Sequence, residues 1–485
     1  MTQTLRIGNG CGFWGDSLDA PAQLVEMGKL DYLTLEYLAE LTMSILARLR
    51  QRDAQLGYAT DFLQVLTSLL PSLQTQPRLK IVTNAGGMNP PACAEAARAV
   101  LAGAGLGMKR IGIVTGDDLL PRLDALVAAG HTLAHMDSGA PLASIRDRVV
   151  AANAYLGSAG IVAALRQGAE IVITGRVADA CLTVGPARHE FGWPEDDWDR
   201  IAAATLAGHL IECGAQATGG LWTHWPEAGD YSQIGYPFVD LTADGAFQIG
   251  KPPGTGGTVN LETVTEQMLY EVGDPAAYLT PDVVADFTTP VLRPAGPDRV
   301  AVTGTRGRPA PEKYKVSIAY RNGFTATGTL ALFGRDAVAK ARRSGAIIME
   351  KLRHAGFTYA DHLIEVIGGG GGRAGAWGPS HAARRGDAAA VGIRSEPGRG
   401  RAVHQGTRSA SDGRAAGHGR LCDRPGSSPR SVRLLAGPHR PERRPSRRQG
   451  LLTSGPPLAP WPPPSSCMGS HTPAAATRAT MPTSP

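Results

Sequence analysis

The chain has 485 residues and a formal net charge of +6; a length prior of roughly 150 residues per domain gives two or three domains and a core that needs no staples. The charge is uneven: 18 Arg and five acidic residues lie beyond Gly368, and the other 31 basic and 38 acidic residues leave the body near −7, which does not support a basic nucleic-acid face there. No apolar run approaches the ~20 residues of a membrane span, MTQTLRIGNG lacks a basic-then-apolar leader, and the six cysteines form no C-x-x-C pair, so a cytoplasmic chain with reduced thiols and no metal site is expected.

Leu5–Ile7 reads as a short strand running into Gly8-Asn9-Gly10-Cys11-Gly12-Phe13-Trp14-Gly15-Asp16-Ser17. Its glycines let backbone amides approach a ligand, which makes Gly10, Gly12 and Asp16 candidate substrate-binding residues; a tight strand–helix turn is the equal alternative. Asp16 or Ser17 is placed to cap a helix starting near Pro21. Tyr32–Tyr37 is the next strand. Glu36, near its end, is costly to bury without a partner or a task, and is a candidate general acid or base. Helical segments follow at Leu38–Arg52 and Thr60–Leu73. The strand Leu79–Thr83 then ends in Asn84-Ala85-Gly86-Gly87-Met88-Asn89-Pro90-Pro91. Asn84 is a candidate oxyanion donor; Asn84 and Asn89 equally suit turn capping. A helix, Ala92–Leu101, follows.

Arg110–Thr115 is a further strand, closed by Asp117-Asp118, which reads first as helix-capping chemistry. Val149–Leu156 and Ser158–Gln167 form another strand and helix. Glu170–Thr174 is a buried β-branched run bounded by Gly168 and Gly175. Arg176 and Asp179 come directly after it, then a helix with His189 and Glu190. Ligand sites of open α/β sheets lie past the carboxyl ends of such strands. Arg176 is therefore a candidate anion partner, and Asp179 and His189 candidate acid–base groups; a local Arg–Asp salt bridge is the plainer reading. Strand, loop and helix alternate about six times to Gly192. That predicts an α/β fold, a mostly parallel sheet flanked by helices, open and doubly wound in preference to a barrel.

Ile201–Cys213 is helical. Leu221–Thr258 reads as a long, weakly regular, aromatic-rich section over the strand ends, suited to an apolar pocket or to ordinary surface packing. Gly250–Thr258 lacks the Gly-Lys-Ser/Thr ending of a phosphate loop; Lys251, Gly254 and Gly256 remain candidates for a phosphate or carboxylate cradle. After the helix Glu262–Tyr270, alternation from Tyr314 to Thr329 around Asn322-Gly323 predicts a hairpin, and Asp336 is placed to cap a helix, Ala337–His354. The expected divisions are 4–290 for the main domain, 291–367 for an α+β appendage, and 368–485 for a disordered tail. Beyond Gly368 there is no Phe, Tyr, Lys or Asn; the composition reads as a frame slip in a GC-rich gene, with a natural basic tail as the alternative.

Four stretches, IGNGCGFWGDS, TNAGGMNP, ANAYLG with ALRQGAEIVITGRVADACLTVGPARHEFGW, and EQMLYEVGDPAAYLTPDV, together resemble the AtuA family of acyclic terpene utilisation proteins, over roughly Thr4 to Ile367. The resemblance implies bacterial breakdown of citronellol- and geraniol-type terpenoids and leucine-type branched acyl-CoA catabolism. It implies a small-molecule acyl-CoA ligand, whose CoA moiety is the one cofactor-like group expected, and neighbouring biotin-dependent acyl-CoA carboxylase subunits. It fixes no reaction and no oligomeric state, a homo-oligomer included. Three readings stay open: an enzyme using proton transfer on an acyl-CoA (isomerase, hydratase or lyase type), a non-catalytic CoA-ester-binding or accessory partner of the carboxylase pathway, and, as a minority, a dinucleotide-binding protein, since Gly10, Gly12 and Gly15 fit G-x-G-x-x-G.

Overall fold

The computed structural model describes residues 3–367, 389–397, 418–423 and 432–435. The expectation of a disordered or frame-shifted tail falls mainly outside these residues. The three later segments are extended strands.

The strands β1 (Thr4–Asn9), β2 (Tyr32–Leu35), β3 (Lys80–Thr83), β4 (Ile111–Val114), β5 (Val149–Ala154), β6 (Ile171–Thr174), β7 (Phe238–Thr242) and β8 (Phe247–Gly250) follow in chain order. Five of them form the parallel centre of a ten-stranded sheet, in the order β1-β2-β3-β6-β4. Antiparallel β7 and β8, then Arg299–Thr303 and Val291–Pro294, extend the β1 side, and Val432–Leu435 pairs with β4. Among the described residues the strand order is linear, with an edge strand at each end and no pairing that closes a barrel.

Side-chain alternation explains why both faces are covered. Ile171 and Ile173 enter one apolar cluster, and Val172 enters the other. The first cluster takes in helices α1 (Ala20–Gly28), α2 (Glu40–Arg52), α3 (Asp61–Ser68), α4 (Leu70–Thr75) and α5 (Pro90–Gly103). After the short α6 (Leu123–Ala128), helices α7 (Ala159–Arg166), α8 (Cys181–Phe191) and α9 (Trp198–Glu212) cover the opposite face. In α9 every residue from Ile201 to Ile211 is buried; a helix apolar all round belongs in the interior.

Several expectations need correction. β5 is not a sixth parallel strand: it pairs antiparallel with Lys313–Tyr320. Its run of small and β-branched residues marked a strand but carried no information on the partner. The irregular section Leu221–Thr258 contains β7 and β8. The Asn322-Gly323 hairpin does not form, because Lys313–Tyr320 pairs with β5 and 418–423, and Ala326–Leu332 pairs with 389–397. Asp336 makes no side-chain cap to the helix Ala337–His354, whereas at the start of α1 the Ser17 hydroxyl accepts the Ala20 N–H at 3.3 Å.

Residues up to 321, with 418–423 and 432–435, form one compact unit; 322–367 and 389–397 belong to a second. Strands 291–294 and 299–303, assigned from sequence to an appendage beginning at 291, lie in the large sheet. In the second unit a three-stranded antiparallel sheet carries the helix Ala337–His354, with Ala337, Ala341 and Val366 in its core. Among the described residues no helix is long and apolar enough to cross a membrane.

Candidate functional site

Parallel strands deliver their trailing loops to one edge of the sheet. Asn9 ends β1, Glu36 follows β2, Asn84 follows β3, Asp117 follows β4, and Arg176 and Asp179 follow β6. Glu36 is 3% exposed. Its Oε1 accepts from the Asn84 side-chain amide at 2.5 Å and from the Leu38 N–H at 2.7 Å, while its Oε2 is buried and unpartnered. An unpartnered buried polar atom costs about 1–3 kcal/mol. Burial, then the nearby Asp179 charge, pushes the Glu36 carboxyl well above the ordinary range, against the pull of Arg176 and Asn84. The neutral acid fits this geometry: Oε1 is the doubly bonded oxygen and Oε2 carries the hydroxyl.

Arg176 is 2% exposed and pairs with Asp179 at 2.5 Å. It also donates to the Leu38 carbonyl at 3.2 Å, and its guanidinium lies 4.1 Å from the centre of the Tyr155 ring. Lys315 lies 4.6 Å over the same ring and binds Glu40 at 3.0 Å; the Tyr155 hydroxyl also donates to Glu40. Burial works against the Glu40 anion, but Lys315, Arg176 and Tyr155 outweigh it and hold the carboxyl well below the usual range. Asp179 is pushed upward by burial and drawn back by Arg176. One third of its side chain is exposed and it is paired with Arg176, so of the two crevice carboxyls it ionises more readily than Glu36.

Asp117 lies behind Arg176, accepting from the Arg176 backbone N–H at 3.0 Å and from Asn153 at 2.8 Å. Burial still raises its carboxyl to about 6. Asp118, by contrast, accepts from the Leu120 N–H at 3.0 Å, the local turn role its type suggests. From the opposite face, the end of α9 brings Glu212. Glu36, Asp179, Glu212, Asn9 and Thr34 line one narrow crevice with about 150 Å³ of non-atom space and no gap wide enough for a water molecule. Among the described residues no group of three His, Cys, Asp or Glu is placed to hold a metal ion.

The remaining sequence candidates have other work. Asn84 is fully buried and engaged on both sides, since its Oδ1 accepts the Tyr37 N–H at 2.8 Å; it orients Glu36 and is not a free oxyanion donor. Gly10 donates to the Thr34 carbonyl at 3.0 Å, and Gly12 donates to Asp16 at 2.8 Å. Asp16 also accepts from the Tyr236 hydroxyl at 2.6 Å. The protein's own carboxylate thus takes the place an incoming anion would need at Gly12. A Cβ at Gly12 would stand 2.7 Å from the Cys213 carbonyl carbon, and one at Gly10 2.9 Å from Pro21 Cα. These glycines serve close packing. Lys251 is buried on Asp298, at 3.0 Å, and the Thr255 carbonyl, at 2.8 Å. Gly256 donates to the Gln233 carbonyl at 2.7 Å, and Gly254 sits in an exposed turn with φ +80°. His189 is at the other end of the sheet, beside Glu190, which binds Lys80 and Tyr32 at the start of β3 and β2.

A larger groove of about 500 Å³, lined by Asp197, Asp199, Arg200, Asp244 and Arg306, also lies at that amino-terminal end. Its guanidiniums are paired, Arg200 with Asp197 at 2.8 Å and Arg306 with Asp199 at 2.7 Å, so the unsatisfied chemistry is in the crevice.

Sequence reading missed Glu40, Tyr155, Lys315, Asn153 and Glu212. Tyr155 and Asn153 lay within a quoted stretch, ANAYLG, and Glu212 in a predicted helix; nothing local marks Lys315, which arrives from the strand paired with β5.

The fold and this edge define a mixed α/β protein, a large mixed sheet with a parallel centre flanked by helices, with a carboxyl-rich crevice at its strand ends. The chain belongs to the acyclic terpene utilisation family AtuA, whose model matches residues 5–391. The match runs past Ile367, where the resemblance read from the motifs stopped. Neither curated proteins nor solved structures gave a significant match.

Proposed function

We propose that the chain acts in acyclic terpene breakdown on a branched or terpenoid acyl-CoA by proton transfer at the Glu36–Arg176–Asp179 cluster. The observation that carries this reading is Glu36, fully buried, hydrogen-bonded through one oxygen and unpartnered at the other, facing the same crevice as Asp179. Carboxyl groups whose surroundings separate their protonation states supply an acid and a base in one site. Asp179, ionised and held by Arg176, takes a proton from a carbon adjacent to or conjugated with the thioester carbonyl. Glu36 gives a proton, because Asn84 and Leu38 stabilise the anion left behind. Isomerisation uses both steps; in hydration the base takes its proton from water, and in lyase cleavage from a hydroxyl as the C–C bond breaks, with the same acid returning a proton to carbon. Admission of the reacting carbons must widen the crevice. The test is incubation with geranyl-CoA or its carboxylated product, followed by mass spectrometry.

The narrowness of the crevice and the engaged amides of Gly10, Gly12 and Gly256 favour a second reading, a non-catalytic accessory partner of the carboxylase pathway. It predicts co-purification with carboxylase subunits and no turnover.

A further inference from the structure

Glu212 has the same unsatisfied character as Glu36 on the facing wall. Its Oε1 is 3.2 Å from His209 Nδ1, while its Oε2 is buried without a partner. The position is built by three close approaches. The Asn9 side-chain amide donates to the Ile211 and Glu212 carbonyls at 2.8 and 2.9 Å, tying the last turn of α9 to the end of β1. Gly12 packs on the Cys213 backbone, and a Cβ at Gly208 would stand 2.7 Å from the Ala180 carbonyl oxygen, next to Asp179. The AtuA-like glycine loop and α9 therefore fit together so as to hold Glu212 at the crevice.

We propose that Glu212 is a further catalytic residue, a hydrogen-bond donor directed from the end of α9 to the oxygen on which negative charge develops. The inference rests on the acid–base reading above. Charge balance supports it: Arg176 and Lys315 are matched by Asp179 and Glu40, so a net-neutral cluster leaves Glu36 and Glu212 protonated. Burial, followed by the Asp179 charge, acts on Glu212 in that direction. The two acids then divide the work. Glu36 has two short donors to stabilise its anion and can release its proton. Glu212 has one long contact to a His209 that burial holds neutral, lowering it to about 4, and it retains its proton. In the step, the substrate C–H bond breaks, its proton passes to Asp179, and the electron pair moves onto the thioester oxygen, where the Glu212 hydroxyl donates.

The test follows deuterium incorporation from D₂O into geranyl-CoA by the full chain. Glu212→Ala should slow exchange about 100-fold, and Glu212→Gln, a neutral side chain that keeps a donor, should stay within about 10-fold of wild type. Exchange unaffected in Glu212→Ala, or Glu212→Gln as slow as Glu212→Ala, overturns the proposal while leaving proton transfer by Asp179 in place. No exchange in the wild type overturns both readings. Infrared difference spectra of wild type against Glu212→Gln at neutral pH give an independent readout. Loss of a protonated-carboxyl C=O band is expected, and loss of carboxylate bands instead overturns the proposal even where Glu212→Ala fails to fold.

Discussion

Asn84 donates to Glu36 Oε1 at 2.5 Å and accepts the Tyr37 N–H at 2.8 Å, so one side chain joins the ends of β2 and β3. Asn84→Ala deletes both bonds in a site without solvent. It should cost about 2–4 kcal/mol, read as a lower midpoint in urea unfolding, and should reduce turnover because Glu36 loses its orientation.

Arg176 is the buried cation of the site. Arg176→Met removes the partner of Asp179 and the contact with Tyr155. Breaking a buried pair costs about 3–5 kcal/mol, and the partial exposure of Asp179 places the effect near the lower bound. Adding Asp179→Asn should restore part of the loss, as measured by a double-mutant cycle in thermal or urea unfolding.

Asp117 gives a signed pH dependence. Its folded-state value of about 6 lies above the 3.8 of the unfolded chain, so the native state binds more protons between these values. The stability it contributes therefore falls as pH rises from about 4 to 6, by on the order of 3 kcal/mol. His209 acts oppositely: depressed from 6.5 to about 4, it gives stability that is lost as pH falls through that window. The difference between wild type and Asp117→Asn isolates the first effect. The variant should gain relative to wild type from pH 4 to pH 6, followed by urea unfolding across that range.

Gly12 separates packing from ligand binding. Because a Cβ there meets the Cys213 backbone, Gly12→Ala should destabilise the protein by about 1–3 kcal/mol and lower kcat by displacing the end of α9. A phosphate-cradling glycine would instead raise KM in a protein of unchanged stability; steady-state kinetics beside thermal unfolding discriminates the two.

The strand–loop–helix rhythm and the convergence of Glu36, Asn84, Arg176 and Asp179 at one edge were legible because successive buried apolar runs each end in a polar loop. The partners of β5 and of Lys313–Tyr320 were not, since pairing across more than 150 residues leaves no local mark, and an Asn-Gly dipeptide favours a turn without choosing its strands. Gly12 misled for a related reason: a glycine needed to approach a helix end and one needed to approach a phosphate look alike in sequence. Glu212 was hidden in an ordinary helical pattern, and only the position of Asn9 beneath that helix end gives it significance.

The most direct measurement is turnover of geranyl-CoA, or of its carboxylated product, by Glu36→Gln. The substitution keeps the shape and removes the transferable proton, and circular dichroism verifies the fold. A loss of at least about 100-fold is the predicted result; undiminished turnover by the folded variant would contradict the assignment of the acid–base site to this crevice.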